Sequence, residues 1–454
     1  MTVHELILSQ AAVAYGGTLL YPDCQFRSVS TDSRTLAAGD LFVALRGEAF
    51  DAHLFLKQAA TRASGFVVQY PEKQLDIPQW VVPDTTLALG QLAVLARQQF
   101  DGPLIAITGS CGKTTVKEML ARILNCAAPV LATSGNLNNH IGVPKTLLAL
   151  APEHRFAVVE MGASAAGEID YLVTLAKPTI AVITNVAPAH VEGFGSLAGV
   201  AAAKGEIYRG LDASATAVLN LDEPWTEQWR KRLPCLETVT FSIDKCDADV
   251  YASDIRLDMR GCAGFILHLH DEQLPVQLQI SGRHNVNNAL AATACALAAG
   301  MDATAIAAGL EATPAVAGRM EFKAGIEQCQ VIDDSYNANP GSVKAAIDLL
   351  AELDGRRLLV LGDMAELGAD ARRLHREVGE YARDNNIDML LATGELCAHA
   401  VAGFGAGAQS FNSKAELCGS LVKELRAGVT VLVKGSRSAS MDEVVKQITS
   451  RGNA

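Results

Sequence analysis

The chain has 454 residues, enough for two to four domains at ordinary domain sizes. Its composition, 49% hydrophobic and 19% charged, supplies material for several cores and excludes a disordered chain. Thirty-eight basic against fifty acidic side chains leave a net charge of −12. That disfavours a general nucleic-acid binder, whose affinity rests on clustered cations.

The ten cysteines are scattered without C-x-x-C spacing or a Cys/His cluster, which predicts reduced thiols in a reducing compartment. Residues Met1 to Gln10 lack a basic n-region and carry Glu5, so no secretory signal and a cytoplasmic location are expected. The most apolar long stretch, Ala289 to Met301, falls short of the ~20 residues of a membrane span, so no membrane insertion is expected.

In chain order, three blocks are predicted: 1–100, 101–313 and 314–454. The first holds short strands (Leu41 to Leu45, Gly65 to Gln69, Trp80 to Val82) and a helix over Thr86 to Gln99, before Asp101-Gly102-Pro103 punctuates the chain. The second opens with a buried strand, Leu104 to Thr108, then a glycine-rich turn and a helix over Lys113 to Asn125. Strands Phe156 to Glu160 and Thr179 to Thr184 follow, which implies a parallel sheet covered by helices. From Val239 to Ile280 the pattern shifts to a period of two, with Phe265, Leu267 and Leu269 alternating with Ile266, His268 and His270, and Val276, Leu278 and Ile280 with Gln277 and Gln279. This predicts added antiparallel strands. The third block alternates strands (Val331 to Asp333, Leu358 to Leu361, Met389 to Ala392, Val429 to Val433) with helices, as a second Rossmann-like α/β unit would.

The strongest motif is Gly109-Ser110-Cys111-Gly112-Lys113-Thr114-Thr115, between a strand and a helix. Glycines let backbone N–H groups turn toward phosphate oxygens, and the helix N-terminus adds positive potential. Lys113 would meet the β/γ-phosphates and Thr114 a Mg²⁺ ion. Residue 107 is Ile, so the loop is a shortened G-x-x-G-K-T. Cys111 reads as a tolerated small residue; the alternative is an activated thiol beside Lys113. Glu160, at a strand's carboxyl end, and His190, just past another, are candidate metal ligands. Lys204 by itself reads as a surface lysine on a helix.

Together these motifs, in this order and spacing, resemble the Mur ligase family, as does Asn136-Leu-Asn138-Asn139 followed by Gly142-Val-Pro144. The resemblance implies three α/β domains: an N-terminal domain for a UDP-linked substrate, a central ATPase-type domain, and a C-terminal domain that closes on ATP. It implies that Glu160 and His190 bind Mg²⁺ and that Lys204 is carbamylated, with Lys113, His190 and Lys204 catalytic. Asn285 would meet adenine, Arg319 would reach ATP from the C-terminal domain, and Asp334 would meet the ribose. Ser33, Arg34 and Gly47 resemble the UDP-sugar site, and Asn138 and Asn139 are implied to bind substrate. The segment Asp334 to Pro340, with Tyr336, Asn337 and Asn339, resembles the D-alanyl-D-alanine-adding type, as does Lys434-Gly435-Ser436-Arg437. The implied enzyme is an ATP-dependent amide-forming ligase acting on UDP-MurNAc-tripeptide and D-alanyl-D-alanine through an acyl phosphate. Family resemblance implies a monomer. A GTPase switch is disfavoured because no Asn-Lys-x-Asp motif follows the loop.

Overall fold

The computed structural model describes residues 6–449 except 27, 49, 189–190, 234–236 and 259. Four sheets organise it. A five-stranded sheet near the N-terminus runs in the order Thr18–Leu20, Gln79–Val81, Gly65–Val68, Leu41–Val43, Val29–Ser30. Its first pair is antiparallel and the rest parallel. A two-stranded ribbon, Leu6–Ile7 with Gln25–Phe26, flanks it.

The nine-stranded central sheet has Leu104–Thr108 between Phe156–Glu160 and Ile180–Ile183, all parallel. The run ends in the antiparallel strands Cys262–Leu269 and Glu272–Ser281, where the period-two pattern placed them. Strands buried on both faces read as continuous apolar runs; all five residues of Leu104–Thr108 are buried. The chain order reverses beside this strand, which opens a crevice beyond its carboxyl end.

The six-stranded C-terminal sheet runs Glu321–Ala324, Gln330–Asp334, Val429–Lys434, Arg356–Gly362, Met389–Thr393, Ala408–Phe411. Only its first pair is antiparallel. Asp334 and Lys434 are register partners at the carboxyl ends of adjacent strands.

Helix Thr85–Arg97 starts where Asp84 Oδ1 accepts from the N–H groups of Thr86 and Leu87 at 2.7 and 3.1 Å, an N-cap. Its far end is tied to the central unit, because the Arg97 guanidinium donates to the carbonyls of Ala176 and Lys177. One apolar cluster, including Trp80, Leu92, Leu104 and Leu172, therefore runs through both the first and second blocks. The segment Asp101-Gly102-Pro103 separates helix Thr85–Arg97 from strand Leu104–Thr108 without separating cores.

In the C-terminal unit, one ligand atom each of Asp363, His375 and Cys397 lies within 4.8 Å of the others. This is a structural network. His375 Nε2 accepts from the Met364 N–H at 3.0 Å, Nδ1 faces the Ala371 carbonyl at 2.7 Å, and Asp363 accepts from the Cys397 N–H. Both ring nitrogens are occupied by backbone, so the neutral imidazole is the form that fits. Burial lowers the His375 pKa below its usual value. A pKa lower folded than unfolded makes stability fully present above about pH 6.5 and lost as pH falls toward the folded value. Denaturant melts at pH 7.5 and 5.5 are expected to show a loss on acidification that His375→Gln reduces; an equal loss in both proteins would refute this role.

Candidate functional site

The carboxyl ends of the central and C-terminal sheets open into one cavity of about 770 Å³. Its floor is the loop Ser110 to Thr115, while the expected Gly109 does not line it. Gly112 adopts φ +81°, and a Cβ there would lie 2.2 Å from Asn288 Oδ1. Asn288 is buried and its Nδ2 donates to Asn285 Oδ1, so moving its amide aside costs that hydrogen bond. Gly112→Ala is expected to weaken ATP binding by at least roughly tenfold through the combined steric and left-handed cost. Nucleotide titration calorimetry checks it, and unchanged affinity would remove the argument.

The loop is held by the segment after strand Ile180–Ile183. The Ser110 N–H donates to the Asn185 carbonyl, the Cys111 N–H donates to Asn185 Oδ1 at 2.9 Å, and Thr184 Oγ1 donates to the Cys111 carbonyl at 2.6 Å. Ser110 Oγ donates to the Ala187 carbonyl at 2.9 Å. Two amides of the loop are thereby held by Asn185, and the turn is shaped before any ligand arrives.

Lys113 is the loop's cation, its Nζ 2.6 Å from the Gly109 carbonyl. Burial pushes its pKa down, while the charge of Glu160 opposes that shift. Glu160 is itself buried and bridged: Thr114 Oγ1 donates to Oε2 at 2.9 Å and Asn138 Nδ2 to Oε1 at 2.8 Å. Among the described residues no lysine or arginine forms an ion pair with it. A buried carboxylate beside a threonine hydroxyl is a hard oxygen donor set that fits a divalent cation. His190, the other expected ligand, lies outside the described residues.

Lys204 ends helix Leu197–Lys204 and points into this cavity. It is only 3% exposed, and no hydrogen bond or ion pair reaches its Nζ among the described residues. It is not the surface lysine its sequence context suggests. Burial, together with the charge of Lys113, pushes its pKa down to about 7.

The opposite wall comes from the C-terminal unit. Arg319 donates to Thr114 Oγ1 at 3.0 Å, bridging the two units, and its guanidinium lies over the Tyr336 ring at 4.4 Å. Asn339 Nδ2 donates to Cys111 Sγ at 3.2 Å, while Asn339 Oδ1 caps helix Pro340–Glu352. Asp334 is ion-paired with the buried Lys434, which also donates to the Asn337 carbonyl at 3.0 Å. Asn285 lines the cavity, but its Nδ2 donates to the Ser281 carbonyl and its Oδ1 accepts from Asn288. Neighbouring Asn287 presents a buried carbonyl oxygen with no partner among the described residues.

Thus Ser110 to Thr115, Asn138, Asn139, Glu160, Lys204, Asn285, Arg319, Asp334, Tyr336, Asn337, Asn339 and Lys434 converge on one cavity. Ser33, Arg34 and Gly47 do not line it. Arg34 is exposed and paired with Asp32 at 2.7 Å, and the Arg34 hydrogen bonds hold the Asp32 carboxyl at about 2. The charge of Lys145, on the helix after Asn139, also acts on Asp32, so this loop faces the central unit. Sequence reasoning passed over Thr184, Asn185, Asn287, Asn288 and His284. Asn185 lay within reach, since it follows a buried strand directly at the sheet's carboxyl edge.

Comparison with known proteins sharpens the picture. Residues 107–296 match the Mur ligase middle domain, and residues 318–437 match the domain described as Mur ligase, glutamate ligase domain. The UDP-N-acetylmuramoyl-tripeptide--D-alanyl-D-alanine ligase of Escherichia coli is 44% identical over 451 residues, 99% of each chain. Its Bacillus subtilis namesake is 35% identical over 95% of this chain and 96% of its own. Among solved structures, a MurF from Acinetobacter baumannii superposes with a TM-score of 0.92 at 36% identity, covering 98% of this chain and 99% of that one. A MurF ligase from Thermotoga maritima in complex with ADP gives 0.82 at 26% identity, over 92% and 96%.

Proposed function

The chain belongs to the Mur ligase family, and from that premise we infer that it joins D-alanyl-D-alanine to UDP-N-acetylmuramoyl-tripeptide at the expense of ATP. The observation that carries the reading is the shared cavity. A phosphate loop on one sheet meets Arg319, Asp334 and Tyr336 from another across a space large enough for a nucleotide and two reacting groups.

The terminal carboxylate of the tripeptide attacks the γ-phosphorus of ATP and ADP leaves. The free amine of the dipeptide then attacks the acyl carbon and loses a proton, and the tetrahedral intermediate expels phosphate. Such transfers depend on positioning and charge neutralisation. Lys113 lies against the β/γ-phosphates, Asn287 meets the adenine with its unspent amide oxygen while Asn285 shapes that wall, and Asp334 meets the ribose. Arg319, already at Thr114, moves onto the phosphates. Mg²⁺, held by Thr114, Glu160 and His190, would neutralise phosphoryl oxygens. Ser33, Arg34 and Gly47 hold the UDP end, and Asn138 and Asn139 guide the rest of that substrate toward Lys204.

We assign residues 1–100 to the UDP-substrate, 101–313 to ATP, and 314–454 to the dipeptide. Lys204 acts as a carbamate, and Lys113, His190 and Lys204 form the catalytic set. We place the enzyme in the cytoplasm, the compartment of ATP and UDP-sugars, as a monomer that binds neither nucleic acid nor membrane. Among the described residues no helix is long and apolar enough to cross a membrane. The test is phosphate release across a matrix of UDP-sugar peptides and dipeptides. Release is expected only with UDP-MurNAc-tripeptide, D-alanyl-D-alanine and ATP together, and release independent of either acceptor would refute the reading.

A further inference from the structure

Among the described residues, five lysine or arginine side chains line the cavity: Lys113, Lys204, Arg319, Lys434 and Arg437. Four have evident work. Lys113 and Lys204 sit at the phosphate loop, and Arg319 reaches Thr114. Lys434, expected from sequence to hold substrate, is buried and spent on Asp334 and the Asn337 carbonyl.

Arg437 is different. It opens the short helical turn Arg437–Ala439 just past strand Val429–Lys434, and its side chain is exposed to the cleft. Its backbone N–H donates to Asn337 Oδ1 at 3.3 Å, which fixes where the residue starts. Its guanidinium lies over the Tyr336 ring at 5.4 Å, the same ring that Arg319 covers at 4.4 Å. Among the described residues no carboxylate or carbonyl bonds that guanidinium. The nearby Asp442 is instead paired with Lys446 at 2.6 Å.

The incoming dipeptide brings two charged ends. Its amine must stay free to attack, so orientation falls to the carboxylate. A planar fork of N–H donors matches a carboxylate with two parallel bonds, which an ammonium cannot. We propose that Arg437, braced on Tyr336, binds the terminal carboxylate of D-alanyl-D-alanine, and that Lys434 shapes the site without touching it. This rests on the ligase reading above. Tyr336 is then shared by the two guanidiniums, with Arg319 serving the nucleotide and Arg437 the dipeptide.

The experiment compares D-alanyl-D-alanine with its C-terminal amide in wild-type enzyme, Arg437→Gln and Arg437→Lys. Wild type is expected to show a KM for the amide roughly 10- to 100-fold higher, the worth of a charged hydrogen-bonded pair. Arg437→Gln should raise the KM for the free dipeptide by a similar factor and erase the preference, while the KM for ATP and for the UDP-substrate stays the same. Arg437→Lys should recover part of the loss. A wild-type enzyme indifferent to amidation overturns the proposal without any variant, and so does Arg437→Gln that keeps the preference. Absence of any dipeptide-dependent phosphate release in wild type overturns the ligase reading itself, a distinct result.

Discussion

Lys113→Ala is expected to lower kcat for phosphate release by about three orders of magnitude, the scale set by removing a preorganised charge from a transferring phosphoryl group. Lys113 is held at the start of its helix by the Gly109 carbonyl, and Glu160 keeps its charge favourable against burial. ATP affinity should fall much less, because the first-turn amides of helix Lys113–Asn125 bind phosphate independently. Lys113→Arg should not rescue, since a planar fork does not fit where a compact ammonium sits. The variant loses a buried charge and a small packing volume, so its melting temperature should stay close to wild type. Steady-state phosphate release and a thermal melt on the same preparation test this. Near wild-type turnover would exclude Lys113 from the chemistry.

The second large effect concerns Lys204. A carbamate forms when a neutral amine attacks carbon dioxide and loses a proton, which turns a cation into an anionic oxygen ligand. A lysine with an ordinary pKa is almost wholly protonated at neutral pH and unreactive. Lys204, pushed to about 7 by burial and by Lys113, is about half neutral there. Its buried Nζ faces the cavity without a partner among the described residues, so the added carboxylate has somewhere to go. Stripping carbon dioxide from enzyme and buffers should reduce turnover by roughly 10²- to 10³-fold, on the scale of a lost electrostatic group. Bicarbonate should restore it. Because the ammonium form cannot react, restoration should be effective above pH 7 and fade as pH falls through about 7. Lys204→Arg should be inactive and indifferent to bicarbonate, and labelled bicarbonate should give a carbamate carbon-13 signal in wild type alone. Full activity in carbon-dioxide-free buffer would end this assignment.

Local patterns carried much of the architecture. Helix Lys113–Asn125 and strand Phe156–Glu160 lie where they were expected, because their apolar periodicity and flanking turn residues agree with the tertiary context. Strands such as Gln330–Asp334 and Arg356–Gly362 run a residue or two past the predicted ends, since pairing with neighbours extends them into polar residues. Asp334 and Lys434 are examples; each lies one residue past its predicted strand end, and sheet register places the two side by side.

The phosphate loop was legible from sequence alone, because backbone conformation there is a local property of glycines and of the residue that starts a helix. The class of chemistry followed from that loop and from the order of the other motifs. What only the folded chain decided is which side chains remain available. Lys204 is buried rather than exposed, Lys434 is consumed by Asp334, Asn285 is engaged with its neighbours, and Arg437 is left without a carboxylate partner among the described residues. Pairing and burial depend on strands and helices more than a hundred residues apart, such as Asn339 against Cys111 and Arg319 against Thr114. Charge and hydrogen-bond satisfaction are pairwise quantities in space, so no single segment of the sequence contains them.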